Sequence, residues 1–175
     1  MSKAVRNLFI VMVISLGIAS LWNRIPLIKE TVHALLNPTA GALLSFNVNL
    51  GVIVFSAVIS LMITIVQKYT TDQETLREIK KEQKILQAQM KEFKDNPQKL
   101  LELQKKQLEF IPRTMEITFR PLMYTSLPII LFFRWFNDYF ADNPVKVFGF
   151  MHWLLAYIIF SMIFTTIFRK VFKVA

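Results

Sequence analysis

Four long apolar runs, separated in the middle by one highly charged block, are the feature that most constrains this chain. The runs cover residues 8–22, 43–66, 121–140 and 147–168. An α-helix needs about 20 apolar residues to cross about 30 Å of hydrocarbon. Hydrophobic residues make up 54% of the 175-residue chain, above the roughly 45–50% of soluble domains. The sequence therefore predicts an all-α integral membrane protein.

Lysine and arginine are distributed unequally around these runs. If the block between residues 67 and 120 faces the cytoplasm, 17 of the 21 basic residues lie on that side and four on the other. Cytoplasmic loops of membrane proteins carry such an excess. We therefore predict a multi-pass protein of the cell membrane whose charged block and C-terminus are cytoplasmic. This topology accounts for the net charge of +9 without nucleic-acid binding.

The first run, 8–22, is the shortest and allows three interpretations. Basic residues before it and small residues near its end are typical of a signal peptide, and it could also lie in the membrane interface. We favour a retained span because Trp22 and Arg24 form a typical interfacial stop. The segment 25–36 then predicts a short amphipathic helix on the outer surface. Its apolar face would be formed by Ile28, Val32, Leu35 and Leu36.

The charged block carries two stripes in which apolar residues or glutamines recur at intervals of three and four. This spacing is typical of a coiled-coil seam. The first stripe contains Leu76, Ile79, Gln83, Leu86, Met90 and Phe93, and the second contains Leu101, Gln104, Leu108, Ile111 and Met115. Between them, Asp95 or Asn96 can cap a helix that begins at Pro97. We predict a cytoplasmic antiparallel coiled-coil hairpin over 68–118.

The hairpin has two possible roles. Its charged positions favour a rigid solvated spacer. Its soft apolar side chains could instead receive an apolar segment of a client protein, because methionine and aromatic groups adapt to irregular surfaces. The candidate client-capture residues are Met90, Phe93, Phe110 and Met115.

Polar side chains recur on one face of each of the last three runs, toward the predicted cytoplasmic end. They are Ser56, Ser60, Thr64 and Gln67, then Arg120, Tyr124 and Thr125, then Ser161 and Thr165. Serine and threonine commonly serve only to pack helices together, and this is the alternative for each residue taken singly. Taken together, the three faces indicate a hydrophilic indentation open to the cytoplasm.

The sequence contains no recognisable catalytic constellation. It has no cysteine, and its two histidines, His33 and His152, have no carboxylate at metal-ligand spacing. It also has no glycine-rich phosphate loop. We therefore expect no enzymatic activity, no catalytic residue, no cofactor and no metal. The spans contain no acid apart from Asp138 at the outer end of the third run, which argues against a cation channel.

The second half of the chain resembles a known family in the order of its parts. The relevant stretches read DNPQKL from residue 95, FRPLM from residue 119 and LPIILFF from residue 127, followed by the ending 153–171. They resemble the archaeal YidC-like membrane proteins of the Oxa/YidC/Alb insertase superfamily, to which the Get and ER-membrane-complex insertase subunits also belong. The resemblance covers residues 43–175.

The resemblance implies a three-span core around a cytoplasm-facing hydrophilic groove. The core spans would be 43–67, 119–140 and 147–168, preceded by an N-terminal segment over 1–42 and followed by a basic cytoplasmic tail over 169–175. The polar residues named above would line the groove. Bacterial relatives often place a positive residue inside the groove, whereas here only Arg120, at the mouth, is a candidate.

The predicted function is that of an insertase and chaperone for membrane proteins. Its partners would be client transmembrane segments, membrane lipids, further subunits and, through the basic regions, the ribosome. A membrane-anchored coiled-coil tether is the first alternative, and an ion channel is a more distant one.

Overall fold

The structure is a computed structural model that describes the backbone of residues 3–174 and the side chains of residues 6–174. The described chain is helical, as predicted. Its seven α-helices are α1 Lys3–Ser20, α2 Pro26–Leu36, α3 Ala42–Phe46, α4 Val48–Thr70, α5 Gln73–Glu92, α6 Pro97–Asp142 and α7 Trp153–Val171. One turn of π-helix, Asn37–Gly41, joins α2 to α3. Helices α4 and α7 are long and apolar enough to cross a membrane, whereas the apolar part of α1, Arg6–Ser20, is shorter.

Helix α4 begins later than the apolar run that predicted it. Asn47 adopts an extended conformation, and its side-chain oxygen accepts a hydrogen bond from the Leu50 N–H at 3.1 Å. Asparagine at this position satisfies a backbone donor that the first helical turn leaves without a partner. Residues 43–46 therefore belong to α3, and α4 begins at Val48, after the predicted beginning of the first core span at residue 43.

Helix α7 also begins later than predicted. Residues 147–151 form a tight turn in which Val147 and Met151 exchange two backbone hydrogen bonds of 2.9 Å. Gly149 has a φ of +79° in this turn, a conformation that glycine adopts without steric cost. His152 then caps the helix, since its Nδ1 accepts a hydrogen bond from the Leu154 N–H. The third predicted span, 147–168, is therefore replaced by a helix over Trp153–Val171.

Helix α6 joins the hairpin and the third apolar run into one continuous helix of 46 residues. Its N-terminus confirms the predicted cap, because the Asn96 side chain accepts a hydrogen bond from the Lys99 N–H at 3.2 Å and Pro97 occupies the first turn. Three internal prolines, Pro112, Pro121 and Pro128, do not end it. The boundary expected between residues 118 and 119 is absent, and the helix extends for about 69 Å at about 1.5 Å per residue.

The hairpin formed by α5 and the first half of α6 is antiparallel, but its seam on α6 differs from the prediction. The α5 stripe is confirmed, since Leu76, Ile79 and Leu86 are buried. On the hairpin half of α6 the buried residues are Leu103 and Ile117. Phe110 packs against the cluster formed by Leu76, Ile79 and Ile117. The predicted α6 seam is exposed, with exposed fractions that reach 61% at Leu108. That exposed stripe comprises Leu101, Gln104, Leu108, Ile111 and Met115.

The reason for this error is that α6 carries two adjacent apolar stripes. Leu103, Phe110 and Ile117 repeat at intervals of seven, as do Leu101, Leu108 and Met115. Heptad spacing fits both stripes equally well, and only the packing against α5 selects between them. Phe110 consequently packs within the hairpin, and its role in client capture stays a prediction. Supercoiling of the hairpin as a coiled coil stays a prediction.

The opposite end of the bundle contains the main hydrophobic core. We call it the aromatic end and define it by Trp22, Trp135, Phe136, Phe140 and Trp153, all of which are buried. On one side of it, α1 packs along α6, and α2 covers the cluster.

The apolar face predicted for α2 is only partly correct. Ile28, Val32 and Leu36 pack against the aromatic end. Leu35, which was expected on the same face, is 71% exposed. Leu35 lies three residues after Val32, on the same side of an isolated helix, so the packing against the aromatic end and not the spacing selects Ile28, Val32 and Leu36.

Candidate functional site

Four of the predicted groove residues are buried between helices instead of lining an open indentation. Ser56, Ser60 and Thr64 of α4 and Thr125 of α6 are each at most 2% exposed. Three of these hydroxyls donate to the carbonyl four residues earlier in their own helix, with distances of 2.7 Å for Ser56 and Thr64 and 3.0 Å for Thr125. A buried hydroxyl needs such a partner. In this structure these side chains therefore serve helix packing.

The remaining serine, Ser60, joins α4 to α7. Its hydroxyl donates to the Ser161 carbonyl at 3.2 Å, while the Ser161 hydroxyl donates to Ile158 in its own helix. Hydrogen bonds of this kind between membrane helices contribute about 0.6 kcal/mol on average. The polar faces of α4 and α7 are thus in contact, within the most extensive helix pair of the described residues.

Helices α6 and α7 meet mainly at the aromatic end. Their ring contacts in the described part of the chain involve Trp153 or Tyr157, with centroids 5.0 Å apart for Phe133–Tyr157 and 5.6 Å apart for Phe136–Trp153. Toward the other end, α4 packs against both helices. There Arg120 and Tyr124 of α6 are exposed, and Ser161 and Thr165 of α7 are partly exposed. These four of the predicted groove residues are therefore accessible.

The end of the bundle opposite the aromatic end carries a small polar recess. We call this the basic end, because Lys68, Arg120, Arg169 and Lys170 lie there. The recess, of about 40 Å³, is lined in part by Gln67, Thr71, Thr118 and Arg169. Its volume suffices for water, which requires roughly 10–15 Å³.

Several buried polar atoms near this end have no hydrogen-bond partner. They are Gln67 Oε1, Thr71 Oγ1, Thr114 Oγ1 and Ser126 Oγ. An unsatisfied buried group costs about 1–3 kcal/mol. Of these residues, sequence reasoning found only Gln67. Thr71 lies five residues after the end of the apolar run at residue 66, and single hydroxyls on α6 carry no periodic signal.

A second polar cluster, at the aromatic end, was not predicted. One carboxylate oxygen of Asp138 accepts from the Trp22 indole N–H at 2.9 Å and lies 3.0 Å from Lys29 Nζ and 3.2 Å from His33 Nε2. Arg134, which could have extended to lipid headgroups, donates to the Ala19 carbonyl. These contacts fasten the N-terminal helices to α6. The sequence feature that could have indicated this cluster is that Asp138 is the one acid within an apolar run.

The helical architecture, the two apolar helices of membrane-crossing length and the polar end between α4, α6 and α7 define an integral membrane protein. A family model described as "Integral membrane protein EMC3/TMCO1-like" matches residues 33–175, and the chain belongs to this family. The family is part of the Oxa1/YidC/Alb3/Get1 insertase-related superfamily and is associated with membrane protein insertion. No curated protein and no solved structure gives a significant match. Archaeal origin and a closer kinship with YidC stay predictions.

Proposed function

We propose that this chain is a membrane protein insertase that helps short polar flanks of client transmembrane segments to cross the bilayer. The observation that carries the proposal is the position of its accessible and unsatisfied polar groups. Arg120, Tyr124, Ser161 and Thr165 are accessible, and the unsatisfied Gln67 and Thr71 line the recess at the basic end. Family members act in insertase complexes, so client membrane proteins and further subunits are plausible partners. The ribosome is a further candidate because the hairpin and tail are basic.

The proposed topology places the basic end, the hairpin and the C-terminus in the cytoplasm. Helices α4 and α7 and the second half of α6 would form the three-span core. The apolar part of α6 between Arg120 and Arg134 is 13 residues long, or about 20 Å as a helix. This length is shorter than the hydrocarbon core of about 30 Å. The polar flank of a client would therefore cross a shorter apolar distance beside α6.

The proposed mechanism lowers the cost of moving a polar flank through lipid. A charged residue at the centre of a helix costs about 2.5–3.5 kcal/mol on the insertion scale. Water at the basic end and hydroxyls along α4 and α7 would replace part of the lost hydration. We propose that the groove is closed in the described structure and opens when the Ser60–Ser161 contact separates. Burial of the client's apolar segment in lipid would drive the step, without nucleotide or cofactor.

The test removes polar atoms from α4 while preserving side-chain size. In liposomes containing a single-span substrate with a short polar tail, we expect Thr64→Val combined with Gln67→Leu to reduce insertion about tenfold. The matched control is Thr166→Val, because the Thr166 hydroxyl bonds to the Met162 carbonyl on the exposed side of α7. Melting temperatures of both variants establish that they are folded. Equal insertion by the folded double variant and the control would contradict the proposal.

A tether is the second candidate function, and the exposed apolar stripe on α6 favours it. Leu101, Leu108 and Ile111 are large apolar residues open to solvent on the hairpin, where a partner protein could bind. A tether would keep its activity in the Thr64→Val, Gln67→Leu variant. If the chain is a tether, replacing both Leu108 and Ile111 with glutamine should abolish partner binding. If it is an insertase, the same variant should still insert the substrate into liposomes that contain no partner protein.

A further inference from the structure

The exposed stripe that α6 carries on the hairpin is regular enough to pair with another helix. Leu101, Leu108 and Met115 repeat at intervals of seven and are 54%, 61% and 40% exposed. Gln104 and Ile111 occupy the intermediate positions, so the spacings are three and four throughout. This is the pattern of a two-stranded coiled-coil seam. Helix α5 packs against a different face of α6 and leaves the exposed stripe without a partner in the described part of the chain.

A groove between α5 and α6 runs beside the exposed stripe. It has a volume of about 400 Å³ and is lined by Gln83 of α5 and by Gln104, Gln107, Leu108 and Ile111 of α6. In helix pairs of this type, side chains of one helix insert into the spaces between side chains of the other. The exposed stripe and the groove therefore form one surface that fits a helix.

The lipid bilayer does not cover this surface. Helix α6 leads without interruption from the third apolar run into the hairpin. Leu108 lies twelve residues before Arg120, or about 18 Å along the helix. In the proposed topology the exposed stripe thus projects into the cytoplasm, where its large apolar side chains meet water. A contiguous apolar surface of this kind marks an interface with another protein.

The charges of α6 favour an identical chain as the partner. The positions that flank the exposed stripe are Leu100, Lys105, Gln107, Pro112 and Thr114, of which one is charged. In a parallel pair, flanking positions five residues apart meet, so Lys105 faces Leu100 of the second copy and not another lysine. Helix pairs between different chains use opposite charges at these positions to select the partner, and one lysine provides no such selection.

We propose that two copies of this chain pair through the exposed stripe of α6. Copies inserted with the same topology are related by an axis along the membrane normal, so their α6 helices are parallel and each stripe residue meets its own counterpart. Gln104 meets the Gln104 of the second copy, and a polar residue within an apolar seam fixes its register. The dimer occupies the surface on which the tether alternative depends. It rests on the membrane position proposed for α6 and not on insertion activity.

The first experiment uses the absence of cysteine from the chain, because a single introduced thiol then reports on symmetric pairing. In liposomes that contain the full chain alone, a short bismaleimide should link two copies of Leu101→Cys, and likewise two copies of Leu108→Cys. The matched control is Lys106→Cys, since Lys106 is exposed on the side of α6 opposite the stripe. The links at Leu101 and Leu108 should persist when added lipid dilutes the protein. No link at these two positions, or equal linking at all three, would overturn the proposal.

Charges placed at Gln104 give a second measurement, made by the same cross-linking in chains that carry Leu101→Cys. Gln104 is exposed in the single chain, so its replacement leaves the hairpin core intact. Gln104→Glu and Gln104→Lys, each by itself, should reduce dimerisation about tenfold, because like charges then meet across the pair. A mixture of the two variants should restore it, since opposite charges meet. A mixture that dimerises no better than either variant alone would contradict the pairing of like positions. No client enters these measurements, so the dimer and the insertase function can fail separately.

Discussion

The two ends of the membrane bundle differ in how completely their polar groups are satisfied. At the aromatic end, the indole N–H groups of Trp22 and Trp135 are buried and hydrogen-bonded, to Asp138 and to Asn37. At the basic end, Gln67 and Thr71 carry buried polar atoms without partners. A fully satisfied polar network rigidifies its surroundings, whereas an unsatisfied one is stabilised by water or a ligand. The aromatic end is therefore the more completely hydrogen-bonded part, and the opening proposed above would occur at the basic end.

Ring packing reinforces this difference. Phe136, Phe140 and Trp153 stack with centroids 5.6–6.0 Å apart, which connects α6 firmly to α7 at the aromatic end. Aromatic pairs contribute about 0.5–1.5 kcal/mol beyond their buried area. At the basic end, the main connection between α5 and the chain after α7 is one exposed hydrogen bond from Arg77. The proposed separation of the Ser60–Ser161 contact between α4 and α7 would thus begin from the basic end.

The largest expected effect comes from Trp135→Ala. Trp135 is fully buried and packs against Phe132, Phe136 and Tyr139. Removing a buried aromatic side chain costs about 3–5 kcal/mol, and we expect this loss in the free energy of unfolding in detergent. Leu108→Ala, on the exposed hairpin stripe, should cost less than about 0.5 kcal/mol. Similar losses in the free energy of unfolding of the two variants would contradict the conclusion that the aromatic end is packed more tightly than the exposed hairpin stripe.

The next effect comes from Gly51→Ala, which tests the close approach of α3 to α4. A Cβ atom at Gly51 would lie 2.6 Å from Leu44 Cδ2 and 3.0 Å from Leu44 Cα. Because one of these atoms is backbone, the helices must shift, at a cost of about 1–3 kcal/mol. Gly41→Ala is the matched control, since its nearest neighbours would be 3.7 Å away. Thermal unfolding should separate the two variants, and equal costs would show that glycine flexibility, not the close approach, is what matters.

The smallest effect is expected for Asp138→Asn, which weakens the attachment of the N-terminal helices. The Asp138 carboxylate is partly exposed, as is its partner Lys29. We therefore expect the attachment of the N-terminal helices to weaken by about 1 kcal/mol. Local opening between α1 and α2 should therefore increase about fivefold, measured as the rate of trypsin cleavage after Arg24. Asp142→Asn, at the exposed end of α6, should leave this rate unchanged. An unchanged rate in Asp138→Asn would show that the apolar contacts of α1 alone hold the N-terminus in place.

Much of the fold was predictable, since apolar length and helix capping are local properties. The cap at Asn96 and the α5 stripe through Leu76 and Leu86 were read correctly from spacing. The start of α7 was not, because the turn at Gly149 lies within an uninterrupted apolar run. The candidate site was predicted less well. Periodicity correctly placed Ser60 and Thr64 on one face of α4, but it could not distinguish a face that lines a groove from one that packs against α7.

The sequence by itself determined that this chain is a helical membrane protein, where most of its charge lies and which superfamily includes its family. These properties depend on composition and on patterns within single helices, so they do not require contacts between helices. The tertiary structure decided which of two stripes on α6 packs against α5, and it brought Asp138 to Trp22 and Lys29. It also brought Lys68 to Phe172 and Arg77 to the Lys173 carbonyl. Contacts between distant segments depend on the geometry of packing, which spacing along one helix does not encode.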